Sequence, residues 1–391
     1  MPCKVKKLFL VSLLALLSIA ALAQLRGNKV QFEYGTYYQY YFENREFDYR
    51  VASPTESSTI NGMALTPSVG FSFFDGGNVN HRLSLGLDIR KDMGSGRGGR
   101  YLDEVTANYD GHLSLKDGSL FEGIIGVFPR HYCEGEYGQA FFSDSTLFAD
   151  RNLEGTLLKY RSEKFYAELG ADWMGQKDTL RKERFMIFTS MQWKPQDWLH
   201  LGFAGTFYHY AGSFKAPGVV DNNLIEPYVR FDLARQARMQ EFSLKLGLMG
   251  TYQWDRKREA SQTIKAGAEA IFKAKIRNLA LVNTFFSGDG FQYLYENKDL
   301  GGNKYGANLY FGSRFYGFPI YDCAELAWTP RLGRSLSLEL RARFHFCNEG
   351  FIGNTQTLSF IFDLDRMRHP KWGAGRIGEP KPRKTPHYLS L

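Results

Sequence analysis

After residue 24, the sequence lacks any apolar run long enough to cross a membrane as a helix. Such a helix needs about 20 consecutive apolar residues, and polar or charged residues interrupt every stretch of the remaining chain well before that length. The mean hydropathy of -0.36 is that of a chain without such segments. Helical membrane proteins are therefore excluded.

Cysteine is also scarce, with four residues in the whole chain. Cys3 lies in the first 23 residues, and Cys133, Cys323 and Cys347 remain. This odd number excludes a fully paired disulfide framework, although a bridge between Cys323 and Cys347 stays open in an oxidising compartment. Because no C-x-x-C or H-E-x-x-H spacing occurs, we expect no metal site and no cofactor.

The body of the chain has no excess of charge of either sign. The net charge is +8, but residues 24–364 contain 39 basic and 39 acidic residues, so the excess lies at the two ends. A nucleic-acid footprint is therefore not expected. Residues 365–391 are basic, rich in proline and without periodicity, which predicts a disordered tail. This tail could be merely solvated, or it could dock to a partner.

The first 23 residues have the features of a cleaved signal peptide. Three lysines occur by residue 7, an apolar run starts at Leu8, and Ala21 and Ala23 provide a small-x-small end. The run is shorter than a bilayer-spanning helix, which disfavours a membrane anchor. No cysteine follows directly, which disfavours a lipoprotein. We expect the mature chain to be exported.

Aromatic residues and a period of two dominate what remains. Phe, Tyr and Trp make up 16% of the chain, more than a solvated surface tolerates unless something covers it. Residues 335–346, SLSLELRARFHF, alternate apolar and polar side chains, and residues 81–91, 223–234, 241–250 and 262–275 do the same. Alternation over about 9 to 12 residues is typical of a strand, and a tilted strand of that length crosses the hydrocarbon core.

The connections between these segments alternate between short turns and long polar loops, which is typical of a transmembrane β-barrel. We predict an all-β fold, a transmembrane antiparallel β-barrel of about 16 strands in one domain, residues 24–364. Fourteen or eighteen strands remain open, because residues 307–319 are assigned to a loop and could instead form two strands. A soluble sandwich is disfavoured, since nearly every strand carries charge on one face. The predicted strands are 30–42, 63–74, 81–91, 101–115, 119–128, 152–162, 164–174, 185–195, 197–210, 223–234, 240–254, 261–276, 279–286, 319–329, 335–346 and 355–364.

The segment from Gly123 to Gly155 resembles porins of the Gram-negative outer membrane. A glycine-containing strand, residues 123–128, leads into a long loop, residues 129–151, and Arg151 to Gly155 begin the next strand. The alternating last strand, residues 357–364, is similar to the final strand of such barrels. The resemblance implies an outer-membrane location in a Gram-negative bacterium, a third outer loop folded into the lumen, and a homotrimer. It also implies that residues 365–391 form a periplasmic tail, which could dock to peptidoglycan or another periplasmic partner.

From this resemblance we expect a channel for passive or weakly selective diffusion of small hydrophilic solutes. A barrel of sixteen strands leaves an aqueous lumen, and opposed acidic and basic rows would select solutes by charge and dipole. The candidates for the constriction are Arg130, His131, Glu134, Glu136, Asp144 and Asp150 in the loop. The candidates on the pore wall are Arg82, Arg90, Arg230, Glu339, Arg341 and Arg343.

Other functions remain open in the same compartment. Tyrosines such as Tyr208, Tyr210 and Tyr228 could stack on sugar rings, so polysaccharide export, attachment or uptake is the alternative function. An adhesive or structural role would use the long loops. An enzyme is not expected, because His112, His200, His209 and His345 fall on different strands and no G-x-S-x-G motif accompanies them. We therefore predict no catalytic residues, and partners limited to outer-membrane lipid and to solutes or glycans.

Overall fold

The protein forms a closed barrel in which each strand pairs with its neighbours in sequence and β1 pairs with β16. In this computed structural model the described residues are 30–48, 57–74, 78–94, 101–178, 182–212, 217–257, 262–291, 311–333 and 335–364. All sixteen pairings are antiparallel, so no crossover connection is needed. Closure leaves no free sheet edge, whose unpaired N–H and C=O groups could not form hydrogen bonds in lipid.

The strands follow the alternating segments of the sequence. Their bounds are β1 Val30–Phe47, β2 Ser58–Phe74, β3 Val79–Asp92, β4 Leu102–Ser114, β5 Leu120–Pro129, β6 Asn152–Arg161, β7 Phe165–Gly175, β8 Arg184–Gln196, β9 Leu199–Gly212, β10 Pro217–Asp232, β11 Glu241–Asp255, β12 Thr263–Ile276, β13 Leu279–Gly288, β14 Ile320–Trp328, β15 Leu336–Cys347 and β16 Gly350–Asp363. Two short α-helices are present in the described residues, α1 Asp144–Ala149 and α2 Ala234–Ala237, together with 3-10 turns at Arg130–Tyr132 and Arg314–Gly317.

The prediction of sixteen strands is confirmed. Residues 307–319 were the uncertain segment, and their described part contains a 3-10 turn and no strand. Several strands extend further toward the long loops than predicted. For example, β1 continues to Phe47 and β2 begins at Ser58, so the first long connection is shorter than expected. Ladder pairing satisfies backbone polar groups, which favours such extension beyond the apolar zone.

The alternation of side chains separates a polar inner wall from an apolar outer wall. On β15, Glu339 and His345 are 5% and 4% exposed, while Leu340 and Phe344 are 41% and 38% exposed. The inner set points into the barrel, where Phe315 packs on His345, and the outer set faces lipid. The charged face of residues 335–346 thus lines the inside of the barrel, as predicted.

Aromatic side chains mark both edges of the lipid-facing wall. Trp193, Trp198 and Trp328 are 42–50% exposed at the short-turn ends of β8, β9 and β14. Trp173 and Trp254 lie toward the long-loop ends of β7 and β11. Such girdles sit at the boundaries between hydrocarbon and headgroups.

Several further expectations concern the two ends of the chain, membrane-spanning helices and the cysteines. The predicted signal peptide and the tail after residue 364 lie outside the described residues. Among the described residues, no helix is long and apolar enough to cross a membrane. Cys133, Cys323 and Cys347 are free thiols, so the bridge between Cys323 and Cys347 is not formed.

Candidate functional site

The loop that follows β5 folds into the lumen. It begins with the 3-10 turn, crosses the interior and returns through α1, whose N-cap Ser143 accepts a hydrogen bond from the backbone N–H of Thr146. Phe141, Phe142 and Phe148 of this loop are buried. Tyr137 and Phe142 both contact the Phe188 ring edge-to-face from inside the barrel. These contacts place the loop against the inner wall.

Three acidic residues of the loop bind basic residues on separate parts of the wall. Glu134 binds Lys159, with Nζ 3.2 Å from Oε1, and also Arg161 on the same strand. The other two pairs are Glu136 with Arg230, at 2.8 Å, and Asp144 with Arg343. The loop is therefore fixed to β6, β10 and β15 by charge.

Arg130 and Asp150 close the base of the loop. The Arg130 guanidinium is 4% exposed and lies 2.8 Å from Asp150 and 2.9 Å from Asp172 of β7. Burial raises the pKa of Asp150, and the charge of Arg130 partly offsets that effect. His131 contacts the Tyr132 ring edge-to-face. Burial also raises the pKa of the Cys133 thiol well above its ordinary value.

A second segment, residues 311–318, packs beside the loop in the lumen. The backbone N–H of Ser143 donates to the carbonyl of Phe311, and the N–H of Ser313 donates to the carbonyl of Gln139, both at 2.7 Å. Gly312 lies so close to the Ala140 carbonyl that a Cβ there would overlap it. Two cavities of about 40 Å³ each lie beside these segments. Tyr208 lines the first cavity, and Arg230 and Lys245 line the second. A cavity of that size holds about three water molecules.

All six predicted wall residues face the lumen, but they do not form one ring. Arg341 and Arg343 share Glu325, and Arg341 also binds Glu339 at 3.0 Å. Arg230 joins the loop instead. The remaining two lie apart, Arg82 beside Glu33 at the short-turn end and Arg90 beside Asp103 at the long-loop end. The role of these twelve residues in selectivity stays a prediction.

The lumen also contains one group of potential metal ligands among the described residues, Asp110, His112 and Glu122. His112 Nε2 lies 3.0 Å from Asp110. The Lys159 ammonium lies 2.8 Å from Glu122 and already supplies the positive charge that a cation would bring. We therefore interpret the group as an ion-pair network.

A different polar pair lies on the lipid-facing wall, where sequence reasoning did not predict a site. His209 of β9 and Asp221 of β10 are directly opposite in the ladder, and Nδ1 of His209 is 3.2 Å from Oδ1 of Asp221. Their neighbours Tyr208 and Tyr210 point inward and are buried, while Phe207 is 40% exposed on the same face as His209. An ionised carboxylate can only accept, so Nδ1–H of His209 donates, and in the neutral form of the imidazole Nε2 then carries the lone pair.

Aromatic and basic side chains surround this pair. Phe185 stacks on the His209 ring with centroids 5.1 Å apart, and Trp173 stacks on Phe185 at 5.5 Å. The other carboxylate oxygen of Asp221 accepts from Nε and Nη2 of Arg256, at 2.9 and 2.6 Å. Arg256 is half exposed. We call His209, Asp221 and Arg256 the outer-wall triad.

The outer-wall triad lies near the level of the aromatic girdle at the long-loop end. His209 is three residues from the end of β9, and Trp254 stands opposite Asp221 in the next ladder. Strands rise about 3.3 Å per residue and tilt by about 40°, so the ten residues from Leu199 to His209 climb about 25 Å, close to the height of the apolar band. The triad is thus positioned at the boundary between lipid and headgroups.

The sequence was compared with the models of known protein families. The model of the lipid A 3'-O-deacylase-type family matches residues 26–348, most of the chain. The protein belongs to this family. No curated protein matches the sequence.

Solved structures similar to this lipid A 3'-O-deacylase-type protein are outer-membrane barrels. A loop-deletion mutant of Vibrio cholerae OmpT is 8% identical, with 86% of this chain and 99% of that chain covered and a TM-score of 0.52. An anion-selective porin from Comamonas acidovorans is 10% identical over the same shares, also at 0.52. Salmonella typhi OmpF in complex with daunomycin is 9% identical at 0.50, covering 86% and 98%. At this identity the likeness shows the fold, which confirms the porin-like barrel.

The expectation that the protein is not an enzyme is wrong, since the matching family is named for an enzymatic activity. The expectation rested on the absence of a local motif and on histidines lying on different strands. That argument fails for a barrel because neighbouring strands bring residues twelve positions apart, such as His209 and Asp221, into direct contact.

Proposed function

We propose that the protein is an outer-membrane hydrolase that removes an ester-linked acyl chain from a lipid of the outer leaflet. The family name gives lipid A as the substrate class. The single observation that carries the proposal is the hydrogen-bonded pair His209 and Asp221 on the lipid-facing wall, at headgroup level. A lipid substrate reaches this wall by lateral diffusion, whereas its acyl chains would not enter a polar lumen.

In the proposed mechanism, His209 acts as a general base. Asp221 holds the imidazole by its Nδ1–H, and Arg256 fixes the carboxylate from the other side. Nε2 takes a proton from a water molecule whose oxygen attacks the ester carbonyl carbon. As the ester C–O bond breaks, the same proton passes to the leaving alkoxide, and the products are a fatty acid and the free hydroxyl of the sugar.

The surroundings of the triad suit such a substrate. Trp173, Phe185 and Phe207 offer an apolar surface on which acyl chains can lie. Asn223 is the next residue on the same face of β10, about 7 Å along the strand from Asp221, and its amide can donate to a developing oxyanion. These assignments belong to the proposal.

The test is release of fatty acid from lipid A by the purified, refolded protein, followed by mass spectrometry. His209→Gln and Asp221→Asn should each lower the rate by roughly 10²- to 10⁴-fold, because general base catalysis contributes that much. The control is His200→Gln, since His200 lies on the same strand but faces the lumen. Equal rates for the wild type and His209→Gln would refute the assignment, and an inactive wild type would refute hydrolysis of this substrate.

A second candidate function is diffusion through the lumen, which the position of the loop favours. Glu134, Glu136 and Asp144 of the loop oppose basic wall residues. This arrangement would constrict the path of small hydrophilic solutes or glycans. The homotrimer also remains a prediction.

Single-channel conductance in a planar bilayer tests the second candidate. We expect small steps from the wild type and larger steps after deletion of residues 132–148, because the deletion removes the loop from the lumen. No steps from either protein would exclude diffusion without affecting the hydrolase proposal, since the two functions use opposite faces of the wall.

A further inference from the structure

Two arginines at the short-turn edge of the barrel adopt a backbone conformation that suits glycine. Arg238 follows α2 with φ 55° and ψ 37°, and Arg277 lies between β12 and β13 with φ 53°. Most side chains with a Cβ are disfavoured in this left-handed conformation. Glycine is usual there, and asparagine is the commonest exception. They are the only non-glycine residues with positive φ among the described residues. Something other than turn geometry must favour arginine at both positions.

The two turns are neighbours and carry a third arginine. The backbone N–H of Arg277 donates to Oε1 of Gln240 at 2.5 Å, and Gln240 itself donates to the carbonyl of Lys275 at 3.0 Å. Arg235 lies in α2, and all three arginines are exposed. The described part of the chain offers none of them a carboxylate in ion-pair distance. We call Arg235, Arg238 and Arg277 the arginine cluster.

Exposed apolar side chains stand directly beside the arginine cluster. Leu233, Ile276 and Leu279 are 37%, 52% and 58% exposed. Ile276 and Leu279 point outward in the alternation of β12 and β13, and Leu233 directly follows β10. Leu279 pairs with Trp328 of the girdle. These side chains lie at the edge of the hydrocarbon core, so the guanidinium groups next to them lie at the level of lipid headgroups.

We propose that the arginine cluster binds the phosphate groups of anionic phospholipids in the periplasmic leaflet. Short turns of outer-membrane barrels face the periplasm, and guanidinium groups bind phosphate oxygens in a bidentate manner. Phospholipid headgroups are the partner that fits both features, because their phosphates bind the arginines while their acyl chains cover the exposed apolar neighbours of the cluster. A cell-wall polymer or a soluble protein would leave those neighbours without a role.

The experiment measures how much phosphatidylglycerol the full chain retains when it is isolated from nanodiscs containing phosphatidylcholine and phosphatidylglycerol. Arg238→Gly with Arg277→Gly removes both charges and suits the left-handed turns, so the barrel should fold. The affinity for phosphatidylglycerol relative to phosphatidylcholine should fall about 30-fold, from the usual contribution of two basic residues near an anionic surface. Arg238→Asn with Arg277→Asn should behave alike.

The matched control is Lys116→Gln with Lys164→Gln, which removes two exposed charges from other short turns, where the adjacent carboxylates of Asp117 and Glu163 offset the lysines. This variant should keep the wild-type preference. Unchanged affinity in the glycine and asparagine variants would overturn the proposal. An equal loss in the control would also overturn it, because the preference would then follow net charge alone. A shift in gel mobility on heating confirms that each variant is folded.

Discussion

The inner and outer walls of this barrel both carry charged residues, but they use them differently. Inside, acids and bases alternate around the lumen and contact one another, as Glu325 does with Arg341 and Arg343. Outside, the His209, Asp221 and Arg256 triad stands among aromatic and aliphatic side chains. The inner charges hold the loop in place, whereas the triad joins β9, β10 and the residue after β11 on the opposite face of the wall.

This difference indicates where to seek chemistry in the fold. A charged residue on the inner wall that forms ion pairs with several partners has a structural role, because those ion pairs hold strands and loop together. A polar pair on a lipid-facing wall has no such explanation, because apolar residues would serve the barrel equally well there. The triad is therefore the stronger functional candidate, although the lumen contains many more charged residues.

Substitution of Arg343 tests whether the inner charges hold the loop. Arg343→Met removes the basic partner of Asp144 and one of the two basic partners of Glu325, whose carboxylate lies 2.6 Å from Nε of Arg343. Leaving a buried charge without its partner costs about 3–5 kcal/mol. We expect the free energy of unfolding in urea to fall by that amount, and the loop to become sensitive to protease.

Arg82→Met is the matched control for Arg343→Met. Arg82 also faces the lumen and binds Glu33 at 3.0 Å, but its side chain is 28% exposed against 16% for Arg343. Pairs closer to solvent contribute about 0–1 kcal/mol. Equal losses in both variants would show that the loop contact adds nothing, and the inner wall would then be only a solvated surface.

The fold was predictable because a barrel repeats one local rule. Alternation along residues 335–346 fixes which side chains face lipid, and the alternation of short and long connections fixes the strand order. The ends of strands were less predictable. Residues 43–47 and 58–62 are polar enough to read as loop, but they continue the ladder above the hydrocarbon, where alternation no longer distinguishes strand from loop.

The sites were predictable only in part. The loop from residue 129 to 151 does lie in the lumen, but the sequence does not show that Glu134 reaches β6 while Asp144 reaches β15. The outer-wall triad depends on register, because a slip of one residue would turn His209 inward. Alternation alone does contain one usable signal: His209 shares the outward phase of Phe207, and Asp221 that of Ile225.

Replacing the outer-wall pair with apolar residues tests whether that pair stabilises the barrel. His209→Leu with Asp221→Leu should change the free energy of unfolding by less than about 1 kcal/mol, or raise it, because apolar substitutes for a buried polar pair are often neutral or stabilising. The same variant should lose fatty acid release. Its effect on the free energy of unfolding is thus expected to be no larger than that of Arg82→Met, while hydrolysis is expected to be abolished. Urea unfolding in lipid, measured beside the release assay, checks both. A loss of stability as large as that of Arg343→Met would mean that the pair serves the barrel, and the argument that separates the two walls would fail.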